Sequence, residues 1–406
     1  MLVLSFLLSF FPGIGQEKNL DYFLTRGIKN SPLINDMNEQ IRSSHTDSLL
    51  IKAMAKPRVE FRGYAFYAPV INGFGYSEVL TNIANLTSVM SVSQQIFNKK
   101  SIEANLLRTD LQKQSLSNTL RLTETSLKKA ITATYLDALS VYTDIIAGQE
   151  ILTFGREQEK ILKSLTENGI YKQSDFLSFM IALQGEEIQA RELTFQFRRK
   201  ISDLYVLCGI TDTAVFIPVK PELEIPVPVV NKTSPLFLRF YLDSLRISNE
   251  NKLLDRNYKP SVSWFSDAGL INNEPSVIYQ NFGLSLGLNF TLPVYDGNQR
   301  KLNRQKLKSE EDIRTGYSEA FKREYSQQLQ QLRDELGQTR ALIPTAKLQV
   351  ANSKLLVTQM KELVMNGSGS IMEYLIAIRN YLSVRKSLNE YEIRVLQTEN
   401  EINYYQ

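Results

Sequence analysis

Residues 282–294 read Phe-Gly-Leu-Ser-Leu-Gly-Leu-Asn-Phe-Thr-Leu-Pro-Val. In an extended chain Phe282, Leu284, Leu286, Leu288, Phe290, Leu292 and Val294 fall on one side, and Gly283, Ser285, Gly287, Asn289 and Thr291 on the other. Alternation sustained over that length predicts a β-strand with one apolar face and one small, polar face. Its partner is residues 261–271, which carry Val262, Trp264, Ala268 and Leu270, and the polar stretch 271–281, with Pro275, is the loop between them. A noisier pair, residues 58–69 and 86–97, lies about 200 residues earlier.

That spacing is a duplication. Thr233-Ser234-Pro235-Leu236 echoes Asn30-Ser31-Pro32-Leu33, and Lys259-Pro260 echoes Lys56-Pro57, both at an offset of 203. Val294-Tyr295-Asp296 answers Ile96-Phe97-Asn98 at 198, and Asn366-Gly367 with Glu373 answers Asn168-Gly169 with Asp175, also at 198. Landmarks kept in one order at nearly one offset mark a tandem repeat. The chain divides into a first repeat, residues 16–217, a proline-rich extended linker, 218–231, and a second repeat, 232–406.

Each repeat opens on a helical stretch, residues 21–55 and 235–258, closed by Lys-Pro because proline disfavours helix at the residue before it. After the strands come very long helices. Residues 98–167 contain no proline, and Leu116, Leu120, Leu127, Ile131, Ala138, Tyr142, Ile145 and Leu152 recur at heptad-like gaps. Such a helix reaches roughly 100 Å. A return helix, 174–207, covers about half that distance, and the opening helix supplies nearly the remainder, so the two shorter helices can stack end to end beside the long one. The second repeat gives 299–364 and 372–404 on the same plan. Pro344 falls inside the first of these and predicts a bend or a break within a few residues upstream.

Four strands do not close a barrel. Strands of this length, apolar on one face and polar on the other, suit a transmembrane barrel, and their open edges call for several chains to share one. Three chains supply twelve strands. A soluble coiled-coil scaffold would also explain the heptads, but it gives no reason for the apolar stripe of residues 282–294.

Composition narrows the function classes. A net charge of +4, with basic and acidic residues interspersed along helices, gives no nucleic-acid footprint. Cys208 is the single cysteine, so no intramolecular disulfide or multi-cysteine metal site is expected, and His45 lies in a polar helical stretch with no special role. No nucleophile-base pair, phosphate loop or metal cluster is evident, the methionines are scattered, and neither enzyme chemistry nor a cofactor is expected. Residues 1–15 read as a signal peptide: an apolar run, then Pro12, Gly13 and Gly15, with a cut near Gln16.

With these pieces in place, the chain resembles the TolC-type outer-membrane efflux protein family over essentially its whole length. The resemblance rests on Asn30-Ser31-Pro32-Leu33, Tyr258-Lys259-Pro260, the strand-to-helix signature running from Gly287 through Val294-Tyr295-Asp296-Gly297, and the two Asn-Gly breaks followed by an acidic residue. It implies a mostly helical α+β fold and a homotrimer: a 12-stranded barrel in outer-membrane lipid above a hollow periplasmic tunnel of long coiled-coil helices. It also implies passive export of small molecules as the exit duct of a tripartite pump, with a periplasmic adaptor and an inner-membrane pump as partners. Exit ducts for protein secretion or metal efflux are the alternatives within that class.

The resemblance places Asn168, Gly169, Asn366 and Gly367 at the periplasmic tip where an adaptor docks. Asp175 and Glu373 then sit beside the mouth, where three chains would gather six carboxylates and favour cations. A second reading coexists: each acid complements the dipole of a helix N-terminus, with Ser174 as a nearby cap. The polar lock implied for relatives meets Val364, Gly369 and Ile376 at the corresponding positions. A looser or apolar constriction, with Ile376 taking part beside Ser174 and Asp175, is the expectation.

Overall fold

The structure is a computed structural model that describes residues 18–77, 84–96, 99–223, 234–273 and 280–405. The expected signal peptide, Phe97-Asn98, Pro275 and most of the linker lie outside the described residues. In chain order the elements are α1 (Leu20–Asn30), α2 (Pro32–Met54), β1 (Arg58–Tyr67), β2 (Ala84–Ile96), α3 (Lys99–Glu167), α4 (Gln173–Leu207), α5 (Pro235–Asn257), β3 (Ser261–Asn272), β4 (Phe282–Thr291), α6 (Gln299–Met365) and α7 (Ile371–Tyr404). The fold is mostly α, with one four-stranded antiparallel sheet, and the order helix, strand pair, long helix, shorter helix occurs twice. Among the described residues, no helix is long and apolar enough to cross a membrane.

The chain forms two compact units, and each draws on both halves of the sequence. One comprises Asp36–Leu120 and Phe237–Ala320 and holds the sheet. Its strand order is β1-β2-β3-β4, so β2 and β3 join the two halves. Pairing sets Val59 opposite Val92, Val92 opposite Ser266 and Ser266 opposite Leu286. Directly paired residues share a face, so the register carries one surface across all four strands. That surface holds Val59, Phe61, Met90, Trp264 and Phe282 to Phe290 at every second position, and no charged residue of the four strands lies on it. The opposite face takes all the charged strand residues, Arg58, Glu60, Arg62 and Asp267, together with serines, threonines, asparagines and glycines, and it also carries Tyr64, Phe66, Val89, Phe265 and Ile271. β1 stops two residues before Pro69 and β4 two before Pro293, since proline brings no amide hydrogen to a ladder.

The strand-to-helix signature has a local cause. Asp296 accepts a hydrogen bond from the Arg300 amide at 2.7 Å and so caps α6. The Tyr258 hydroxyl, then the Arg300 amide, hold its carboxyl below the usual range, so the signature residues that flank the strand pair on either side meet at one carboxylate. Asp255 binds Arg300 at 3.0 Å and Arg304 at 2.6 Å, fixing α5 against α6.

The second unit comprises the chain before Asp36, Arg121–Leu236 and the chain from Phe321. An aromatic cluster fills one region of it: Phe23 lies 4.9 Å from Phe216 and 6.0 Å from both Tyr135 and Tyr205, measured between ring centres. Tyr135 accepts from the Val219 amide at 2.8 Å and donates to its carbonyl at 2.9 Å, which ties the segment after α4 down onto α3. Asn30 donates to the Cys208 and Gly209 carbonyls at 3.1 Å each, so the end of α1 meets the end of α4. Burial pushes the Cys208 thiol up to about 11, which leaves it an inert core residue.

Two expectations are corrected here. The opening helix is not continuous from 21 to 55: Ser31 is extended (φ −68°, ψ 116°), and α2 restarts at Pro32 with the Ser31 hydroxyl accepting from the Ile34 amide at 3.4 Å. The rule that ends a helix before proline applies at Ser31 as it does at Lys56. Conversely, of the bend or break expected at Pro344, the break is absent: one helix runs from Gln299 to Met365 with the proline inside it. Pro344 and Arg340 both lie on the exposed side of α6, away from its core contacts. Buried Leu336, Thr339, Ala346 and Val350 flank the proline and hold the helix on its core on both sides.

α6 also carries a basic residue at every seventh position: Arg340, Lys347, Lys354 and Lys361. The first two pair with Glu399 (2.6 Å) and Glu392 (3.5 Å) on α7, and the last two with Glu150 (2.8 Å) and Glu157 (3.8 Å) on α3. A seven-residue stripe drifts about 20° per heptad on a straight helix, which turns it from one neighbour toward the next. The three solvated pairs are each worth little, while Arg340 meets a buried Glu399, and together the four specify register.

Candidate functional site at the paired turns

The two Asn-Gly breaks end α3 and α6 in the same way. Gly169 (φ 77°) and Gly367 (φ 70°) adopt left-handed backbone, which glycine enters without a steric penalty. The Ile170 amide reaches back to the Leu165 carbonyl at 2.9 Å, and the Ser368 amide to Leu363 at 3.1 Å, so both turns satisfy the last helical carbonyls. Asn168 adds a side-chain bond to the Ser164 carbonyl at 2.8 Å, and the Asn366 amide closes on Glu362 at 3.1 Å.

The helices that follow begin differently. α4 starts after Lys172, which makes no side-chain cap, and Ser174 lies inside the helix with its hydroxyl 3.4 Å from the Asp175 carboxylate. The expectation of Ser174 as a cap is therefore corrected: it sits beyond the capping position. In α7 the cap is Ser370, whose hydroxyl accepts from the Glu373 amide at 3.5 Å. Ser370 was missed as a functional cap, although Ser370-Ile371-Met372-Glu373 carries the spacing of a capping box and so advertises it. Asp175 and Glu373 both occupy first turns. Ile376 is 52% exposed, on the side of α7 away from the buried Tyr374, Leu375, Ala377 and Ile378.

What joins the two turns is Tyr171. Its hydroxyl lies 2.9 Å from the Val364 carbonyl and 2.9 Å from the Gly369 carbonyl, residues that open and close the second turn. Burial, then the Asp175 carboxylate, pushes its phenol above the ordinary range, so the donor proton is retained. Beside it, the Ile170 side chain stands 2.9 Å from where a Cβ on Gly367 would lie. A Cβ on Gly369 would come within 2.9 Å of Leu363 and Val364 backbone, so only glycine fits there. Two of the three departures from the polar lock, Val364 and Gly369, thus act through their carbonyls.

Behind the turns, Leu162, Phe179, Val364, Ile371, Tyr374 and Tyr381 form part of one buried core drawn from α3, α4, α6 and α7. Tyr374 is fully buried, and its hydroxyl has no hydrogen-bond partner among the described residues. Burial, then Glu157, pushes its phenol up to about 12. Because the folded value lies above the unfolded one, stability is fully present below about pH 10 and falls as pH rises toward 12. Tyr374→Phe is expected to raise stability by about 1 kcal/mol at neutral pH, since it deletes an unsatisfied buried hydroxyl. It is also expected to shrink the alkaline loss, and denaturant unfolding at pH 7 and pH 11 checks both.

No family model matches the sequence, and no curated protein does. Among solved structures, the Campylobacter jejuni CmeC outer membrane channel superposes with a TM-score of 0.76 at 13% identity, covering 95% of this chain and 85% of that one. The outer membrane protein VceC from Vibrio cholerae gives 0.77 at 10% identity, covering 95% of each chain. CusC, described in terms of transmembrane channel formation, gives 0.79 at 11% identity, covering 97% and 92%. Similarity of this extent takes in nearly the whole of each chain, helices and sheet alike. The chain therefore has the fold of the TolC-type outer-membrane channel proteins.

Proposed function

We propose that three copies of this chain form an outer-membrane channel that passively conducts small molecules outward as the exit duct of a tripartite efflux pump. The observation that carries this reading is the charge-free face that runs unbroken across β1 to β4, with every charged strand residue on the other face. On β4, Phe282, Leu284, Leu286, Leu288 and Phe290 are each at least 66% exposed, a display that water disfavours and hydrocarbon accepts. Among the described residues the outer strands β1 and β4 each have one unpaired edge in the sheet, and three-fold closure into twelve strands pairs them all. The resemblance to outer-membrane channels supports an outer-membrane location, a periplasmic extension built from α3, α4, α6 and α7, and an adaptor and inner-membrane pump as partners. A conduit of this kind performs no reaction and needs no cofactor.

The paired turns form the inner mouth of this conduit, with Asp175, Glu373 and Ile376 around it, and Asn168, Gly169, Asn366 and Gly367 on the surface offered to the adaptor. Asp175→Ala is expected to reduce cation preference and Ile376→Asp to increase it, each by up to roughly tenfold, because a narrow mouth concentrates counter-ions. Reversal potentials across planar bilayers under a salt gradient check this. Identical ion preference in wild type and both variants removes these residues from the mouth.

A further inference from the structure

Tyr171 reaches across the duplication. Its partners, Val364 and Gly369, are 193 and 198 residues away, and both offer backbone carbonyls. The Val364 carbonyl also accepts from the Gly367 amide at 3.1 Å, so it belongs to the turn's own closure. One phenol thus touches the beginning and the end of the second turn from a seat in the first. Ile170 packs against Gly367 one residue along, which makes the contact two residues wide. Tyr171 is partly buried and a phenol has few torsions to freeze, so holding it costs little entropy.

Residues that the mouth reading singles out hang from this contact. Asp175 lies four residues after Tyr171, in the first turn of α4, and Glu373 and Ile376 follow Gly369 on α7. While the contact holds, the α3-α4 and α6-α7 turns of one chain are tied to each other, and the helix starts that carry Asp175 and Ile376 are tethered through it. Resting on the conduit reading above, we infer that Tyr171 is a positioning residue of the inner mouth, clasping the two turns of each protomer so that the mouth widens only when protomers shift against one another or the clasp opens.

Tyr171→Phe keeps the ring and removes the hydroxyl. In the full-length protein it is expected to accelerate hydrogen exchange at the Gly367, Ser368 and Gly369 amides by roughly two- to tenfold, the effect of one hydrogen bond, with the amides near Phe23 unchanged. Single-channel current in planar bilayers is expected to rise in the same variant, a readout that loss of packing alone does not move in that direction. Unchanged exchange in the second turn overturns the clasp. Faster exchange with unchanged current overturns the positioning role while leaving the conduit intact. Absence of current from both wild type and variant overturns the conduit reading itself, and the role with it.

Discussion

Leu286→Arg is expected to keep the protein out of the outer membrane, while Ser285→Arg, one residue away, is tolerated. Leu286 lies at the middle of β4, 75% exposed, in cross-strand line with Val59, Val92 and Ser266 on the face that carries no charge. On the proposed reading this face meets lipid, where an arginine at mid-strand costs about 2–4 kcal/mol per chain, and the proposed three-fold assembly would repeat the penalty three times. The mid-strand position leaves the guanidinium far from either interface, so snorkelling relieves little. Ser285 faces the side with Arg58, Glu60, Arg62 and Asp267, where one more charge meets water. Density-gradient separation of membranes reads the result. Equal membrane recovery of both variants would contradict the assignment of faces.

Phe23→Ala is expected to destabilise the helical unit by about 3–5 kcal/mol, the range for emptying a buried aromatic site. Phe23 is wholly buried, with Tyr22, Tyr135, Tyr205 and Phe216 around it, and a core of this kind collapses only partly into the cavity left by a lost ring. The damage spreads along the chain, because Phe216 anchors the segment that Tyr135 holds through Val219. Denaturant unfolding measures the loss. A change below about 1 kcal/mol would mean that this cluster is not a core.

Much of the fold was legible because its signals are periodic. The glycine-leucine alternation of β4 and the proline-free run of α3 each specify an element by spacing alone. Proline was the weaker guide. Ser31-Pro32 broke a helix that looked continuous, and Pro344 passed through one without breaking it, held on both sides by buried Leu336, Thr339, Ala346 and Val350, a packing that sequence does not report. The charge ladder of α6 shows its seven-residue period in sequence, yet the change of partner from α7 to α3 needs the helix geometry. At the turns, the glycines and first-turn acids were readable by type and offset. Tyr171 was not, since its acceptors are main-chain carbonyls, which no side chain at positions 364 and 369 advertises.

The central claim is that the sheet is one third of a closed barrel, and the mass of the detergent-extracted particle tests it most directly. Native mass spectrometry of protein released from membranes is predicted to show a species of three times the chain mass that stays assembled until strong activation. A monomer of chain mass, recovered from the soluble fraction without detergent, would contradict the account.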